Sequence, residues 1–306
     1  MRPYLELCRI YLVPTALADS FAGFALAAVV LQKGEAPLPA LLVAVMSVCL
    51  YSAGMVSNDL FDLEKDRTGA PQKPLPRGAV PPAHAAWLAA GLAGFALGLG
   101  FLCGDAFWPA GLVILFALLY NIGAKNIPVI GDVLMGWCRS GNFLVGATVA
   151  GGSDVSFLQI ISTVELLAPA LILGVFISVV TAVSRLEDNP YKPRTFAALV
   201  HPLLLVPVIM IAMNPGSWLN WIANLVLAGF LFRAILLAAE NQENLHPATT
   251  YVRKALGSLV LFDAALLLAF TPHEKTSLLP AAALCMLALF SWWWKRKWLQ
   301  SGGADT

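Results

Sequence analysis

The stretch Tyr51-Ser52-Ala53-Gly54-Met55-Val56-Ser57-Asn58-Asp59-Leu60-Phe61-Asp62-Leu63-Glu64-Lys65-Asp66-Arg67 begins as the end of a hydrophobic segment and finishes as a run of charges. Asn58, Asp62 and Asp66 recur every four residues, which at about 100° per residue places all three on one helix face. The result is a row of oxygen donors at a membrane boundary. Like charges one helical turn apart repel by roughly 0.2–0.5 kcal/mol, so such a row calls for a cation. Hard oxygen donors with open coordination positions suit Mg²⁺, which keeps its waters and takes further oxygens from a phosphate. The plainer alternative is a solvated acidic helix end; ionisable residues beside membrane segments favour the functional reading.

Of 306 residues, 59% are hydrophobic and 12% charged, against roughly 25% charged in soluble domains. The chain therefore reads as a polytopic membrane protein, one all-helical domain over residues 1–306. Ten spans fit that length at ~20 residues each plus short loops. The net charge of +1 carries no nucleic-acid signature. Met1-Arg2-Pro3-Tyr4-Leu5-Glu6 is polar, and the apolar run after it is span-length without a small-residue cleavage pattern, so the first span is expected to stay. The five cysteines are scattered through apolar stretches with no CxxC spacing, and no chemistry is assigned to them.

Spans are expected near 11–32, 39–60, 83–103, 106–124, 130–151, 164–184, 196–213, 217–239, 255–271 and 277–294. With both termini cytoplasmic, all of the 19 basic residues except Lys33, Lys275 and the intramembrane Arg139 fall on the inner side. That asymmetry fixes the orientation and supports an even span count. The longer loops, 61–82, 185–195 and 240–254, share that side, so function should face the cytoplasm. Trp292-Trp293-Trp294 beside Lys295-Arg296-Lys297 reads as an interfacial anchor. Gly91, Gly94, Gly98 and Gly100 have the spacing of a close helix–helix contact.

Beyond the acidic row lies a proline-rich loop, Gly69 to Gly78, which would hold Lys73 and Arg77 near the carboxylates. Fixed basic groups there would neutralise a metal-bound diphosphate, or serve only as positive-inside charges. A second polar stretch runs from Tyr120-Asn121 through Lys125 and Asp132 to Arg139 and Asn142. An arginine inside a span costs about 2.5–3.5 kcal/mol on insertion scales unless it meets a partner or a cavity. Arg139 is thus either paired with Asp132, two turns earlier, or a ligand to an anion. The sixth span ends Ser184-Arg185-Leu186-Glu187-Asp188-Asn189-Pro190, a second and weaker acidic helix end that could hold a second Mg²⁺ opposite the first.

Asn58-x-x-x-Asp62-x-x-x-Asp66, then Lys-Pro-Leu-Pro-Arg-Gly, then the Tyr-Asn…Lys…Gly…Arg-Ser-Gly-Asn stretch and the shorter acidic end together resemble the UbiA superfamily of intramembrane prenyltransferases. The resemblance runs from Arg9 to about residue 195. Met-Arg-Pro-Tyr-Leu-Glu-Leu and Ser-Arg-Leu-Glu-Asp also look like the EboC-like branch, a UbiA-like group of bacterial gene clusters. The resemblance implies a helix bundle of nine to ten spans around a central cavity, multi-pass in a bacterial plasma membrane. The catalytic motifs would lie within 9–195, with residues 196–306 as C-terminal spans. It implies Asp62, Asp66 and Asp188 as catalytic carboxylates and Asn58, Asp62, Asp66, Glu187 and Asp188 as Mg²⁺ ligands. Arg9, Lys73, Arg77, Lys125 and Arg139 would be diphosphate-binding groups. One departure stands out: Ser184 occupies the first position of the second motif, where the family has aspartate.

The expected function is Mg²⁺-dependent transfer of an isoprenoid group from an allylic diphosphate to a small acceptor, aromatic or lipid-like. Phe61 and Tyr120 are candidates to flank the allylic cation. The alternative is a carrier of a prenylated or aromatic metabolite on the same fold, favoured by Ser184 and opposed by the intact first motif. An ion-coupled transporter ranks last, because no repeat between halves is evident.

Overall fold

The computed structural model describes residues 2–33, 37–187, 193–240 and 246–271, with a few helical positions between 283 and 297. In chain order the helices are α1 (Arg2–Leu7), α2 (Val13–Val30), α3 (Pro37–Phe61), α4 (Leu63–Gly69), α5 (Pro82–Leu102), α6 (Phe107–Ile122) and α7 (Ile130–Gly151). They continue with α8 (Phe157–Ser162), α9 (Val164–Ser184), α10 (Pro193–Val200), α11 (Leu205–Met213), α12 (Trp218–Glu240), α13 (Pro247–Gly257) and α14 (Leu259–Phe270). No strand occurs among the described residues.

Seven helical segments in this part of the chain are long and apolar enough to cross a membrane. Ile130–Gly151, at 22 residues, has the same length but carries Asp132, Arg139 and Asn142. At Ser258, α13 and α14 meet without losing helical register: Ser258 N–H donates to Lys254 O at 3.0 Å and Phe262 N–H to Ser258 O at 2.9 Å. The expected ninth span, 255–271, is the end of α13 together with α14, while residues 247–254, expected in a cytoplasmic loop, are helical. Half of the tenth, 277–294, lies outside the described residues, and with it Trp292 and Trp294 of the aromatic anchor.

The centre of the bundle is α7, between α2 and α9. Small residues let the three backbones meet. A Cβ on Gly146 would strike the Ser20 carbonyl, and one on Gly136 would strike Gly174. Here the structure corrects the sequence reading. Gly91, Gly94 and Gly98 on α5 have nothing within 4 Å of a built Cβ, and only Gly100 meets a neighbour, the backbone of Phe107. The spacing of a contact stripe is present on α5, but its face is turned out of the bundle. One apolar core runs from Ala18 and Phe143 through Phe176 and Phe262 to Leu284, so the C-terminal helices share it with α2, α7 and α9.

Candidate active site

The acidic row survives a joint in its helix. Asp62 stands between α3 and α4 at φ −90° and ψ 1°. Even so, its N–H donates to Asn58 O at 3.0 Å, and Asp66 N–H donates to Asp62 O at 2.8 Å. Helical spacing is thereby kept across the break, and the expected common face with it.

Asp59, Asp62 and Asp66 each meet a cation from outside their own helix, whereas Glu64 pairs with Arg67 within α4. Lys125 Nζ lies 2.5 Å from Asp62 Oδ1, and Lys73 Nζ 2.8 Å from Asp66 Oδ2. Asp59, beside the row and buried, accepts from Arg9 Nη2 at 3.1 Å and from Lys73 Nζ at 3.5 Å. The sequence reading gave Asp59 no part. Its signal was position: a carboxylate one residue past Asn58, on a face turned into the bundle. Arg9 adopts left-handed backbone, φ 47° and ψ 48°, a conformation costing about 1–2 kcal/mol in a residue with a Cβ. Burial works against the charge of Arg9, but the adjoining Asp59 carboxylate, Tyr51 and Tyr11 together outweigh it and hold the guanidinium above its ordinary pKa. Arg77 points elsewhere. It donates to Glu6 Oε2 at 2.5 Å and to Gln72 O at 3.3 Å, tying the proline-rich loop to α1.

The loop that presents Lys125 is itself strapped down. Arg185, at the end of α9, reaches Asp132 Oδ1 with Nε at 2.5 Å and Lys125 O with Nη1 at 2.6 Å. Asp132 Oδ2 in turn accepts from Val129 N–H at 3.1 Å. Val129 sits at φ 70°, an outlier for a β-branched residue and the kind of local strain that clusters at functional loops. Asp132 is therefore bound to Arg185, and of the two alternatives for Arg139 the pairing with Asp132 is not formed.

Inside this mouth lies a cavity of about 320 Å³, with Asn58 and Arg9 at one end and mostly apolar walls from Leu50, Val113, Ala117, Ile177 and Val180. Tyr51 and Arg139 also line it. Tyr51 precedes Asn58 by two turns of α3, roughly 10 Å at 1.5 Å rise per residue. Arg139 stands over the Tyr51 ring at 5.8 Å from its centroid, so this guanidinium is well below the acidic row. It donates to Asp19 Oδ2 at 2.6 Å and Thr15 Oγ1 at 3.1 Å. Arg9, Lys73 and Lys125 are thus gathered with Asp62 and Asp66, whereas Arg77 and Arg139 are not. Of the second motif, Ser184 lines the cavity and donates to Thr181 O at 2.7 Å. Glu187 closes the 3-10 turn after it, and Asp188 lies outside the described residues.

No three His, Cys, Asp or Glu side chains among the described residues converge to hold a metal by themselves. Mg²⁺ does not require such a cage, since it is commonly held by one or two carboxylates with waters and substrate phosphates. The donor set fits it: Asp62 and Asp66 are already matched by positive charge, the ammonium groups of Lys125 and Lys73 standing where a cation is wanted.

The UbiA prenyltransferase family model matches residues 20–254. A digeranylgeranylglyceryl phosphate synthase of Methanopyrus kandleri is 33% identical over 155 residues, 49% of this chain and about half (54%) of that protein's length. The synthase of the same name from Methanobrevibacter smithii is 26% identical over 292 residues, covering 89% of this chain and 99% of that protein. A UbiA homologue from Archaeoglobus fulgidus, solved with GPP and Mg²⁺, superposes with a TM-score of 0.62 at 12% identity, covering 96% of this chain and 98% of the other. That likeness is one of fold. With the family match spanning most of the chain, and the acidic row and cavity in place, this protein is a member of the UbiA prenyltransferase family.

Proposed function

We propose that the protein transfers an isoprenoid group from an allylic diphosphate to a small acceptor, with Mg²⁺ held by Asn58, Asp62 and Asp66. The observation that carries this reading is the set of ion pairs at the cavity mouth: Lys125 on Asp62, Lys73 on Asp66 and Arg9 on Asp59. These cations surround the open end of an apolar chamber. An isoprenoid diphosphate has the complementary shape, a charged head on a hydrocarbon tail.

When bound, Mg²⁺ supplies Lewis-acid neutralisation of the diphosphate. Lys125 and Lys73 give up their carboxylates and donate to the phosphate oxygens, with Arg9 behind them. The C1–O bond breaks with its electron pair leaving on the diphosphate, and fixed donors at that end stabilise the charge as it develops. Tyr51 and Tyr120 line the chamber, and an aromatic ring there would attract an allylic cation. The acceptor attacks C1 and loses a proton. Arg77, clamped on Glu6, steadies the Lys73 loop. Arg139 sits too deep for a diphosphate on the acidic row and marks a polar spot among the apolar walls. Glu187 and Asp188 are assigned to the metal on the sequence motif. The same reading places both termini on the cytoplasmic side of a bacterial plasma membrane. The narrower likeness to the EboC-like branch rests on its two sequence stretches.

Purified protein in liposomes, given Mg²⁺ and labelled allylic diphosphates of several lengths, should release diphosphate faster when the right acceptor is added. Asp62→Asn is the control. Tight binding across the whole panel without metal-dependent release would instead favour a carrier, the reading to which Ser184 lends itself.

A further inference from the structure

Three ionisable side chains meet in the middle of the bundle, away from the acidic row: Asp19 on α2, Arg139 on α7 and Asp263 on α14. Both aspartates are 0% exposed. Asp19 Oδ2 accepts from Arg139 at 2.6 Å. The two carboxyl groups are within hydrogen-bonding reach of each other, and the Asn142 side chain also reaches Asp19. Yet Asp19 Oδ1, both Asp263 oxygens and Asn142 Oδ1 are buried without a donor.

Acceptors therefore face acceptors. With both carboxylates ionised the cluster would carry one net negative charge in the core of a membrane protein. Among the described residues, the charged groups acting on Asp263 are Asp19 and Arg139, and neither α9, α11, α12 nor α13, all neighbours of α14, contributes another. Burying an unmatched charge is prohibitive, and two adjacent carboxylates do not both stay ionised. What is missing is one positive unit that is also a hydrogen-bond donor.

We propose that the core holds a proton-binding site, in which Asp263 is a carboxylic acid donating to Asp19 Oδ1. Arg139, Asp19 and Asp263 then form a neutral triad, and Asp263 is a positioning residue that fixes the Arg139 guanidinium in the cavity wall through Asp19. Nothing in this triad depends on what the cavity binds.

Infrared spectroscopy of the full-length protein in detergent at neutral pH reads the carboxylic-acid C=O stretch directly. One such band per chain is expected, with the same intensity in sodium and potassium buffers. It should vanish in Asp263→Asn and in Asp19→Asn, and double in Arg139→Met, where loss of the cation demands a second proton. A wild-type spectrum without the band overturns the site. So does a band that survives in Asp263→Asn, and so does one that sodium removes, which would assign the place to a sodium ion. Should Asp19→Asn fail to fold, Asp263→Asn against Asp263→Leu decides. Both lack the band, but only asparagine keeps a donor for Asp19 and with it the wild-type thermal midpoint. Equal midpoints overturn the donor role.

Discussion

Lys125 Nζ lies 2.5 Å from Asp62 Oδ1, joining two polar stretches 63 residues apart in sequence. The pair is part-exposed, with 17% and 20% of the two side chains open to solvent. On the proposed function, a divalent ion and a phosphate reaching the mouth would find both partners accessible and would exchange places with an ion pair already there.

Asp62→Asn should therefore lower diphosphate release by about 10²-fold or more, the scale on which single groups stabilising developing charge act. Stability should change by no more than ~1 kcal/mol, since a partly exposed pair contributes little. Rate assays beside thermal unfolding in detergent separate the two; a variant that releases diphosphate at the wild-type rate would remove Asp62 from the metal site.

Arg185→Ala should act on Lys125 at a distance. Losing the bonds to Asp132 and to Lys125 O frees the loop, so the KM for the allylic diphosphate should rise about tenfold, with kcat less affected. An unchanged KM would mean that the loop holds its shape through Val129 and Asp132 alone.

Asp19→Leu should destabilise by about 1–3 kcal/mol, because Arg139 loses the carboxylate that accepts its hydrogen bond and Asp263 must ionise to supply the counter-charge. Adding Arg139→Met should restore much of that loss. A double variant no more stable than the single would show that the pair is not the source of the effect.

Gly146→Leu should destabilise by about 1–3 kcal/mol or more, since the side chain meets the Ser20 backbone. Gly94→Leu on α5, with open space around it, should leave the unfolding midpoint unchanged. The comparison distinguishes a contact glycine from one that merely has contact spacing.

At the opposite end, the Lys33 hydrogen bond and charge hold the Asp154 carboxyl below its ordinary pKa. A carboxyl lowered on folding stabilises above its unfolded pKa, and that contribution is lost as pH falls through the folded value. Asp154 is fully exposed, so Lys33→Ala should leave the acid-unfolding profile where it was. A measurable shift would show the pair to be stronger than its exposure allows.

Asn58, Asp62 and Asp66 were legible in the sequence because their relation is local: four-residue spacing and helical geometry suffice. Lys73 followed from the proline-rich loop beside the row, and Lys125 from the family pattern. The pairing of Arg139 was not legible, since Asp19 lies 120 residues earlier. A usable signal existed all the same, because Asp19 and Asp263 are each a lone acid within an otherwise apolar run, and a basic residue in another span is the natural partner. The α5 glycines misled for a different reason: spacing reports that a smooth face exists, and says nothing of whether that face looks inward or out. Arg185 reads in the sequence as part of an acidic helix end, whereas its long side chain serves the loop that leads into α7.

The triad of Asp19, Arg139 and Asp263 also has a consequence for synthesis. At about 5–20 residues per second, Arg139 emerges from the ribosome some 6–24 s after Asp19. Over that interval the first span waits in the bilayer with a charge that its eventual partner has yet to meet. Asp263 arrives last of the three: the charge is balanced once α7 meets α2, but the second Asp19 oxygen has no donor until α14 docks, and a chain halted before that helix would leave a buried acceptor unmet for quality control to detect.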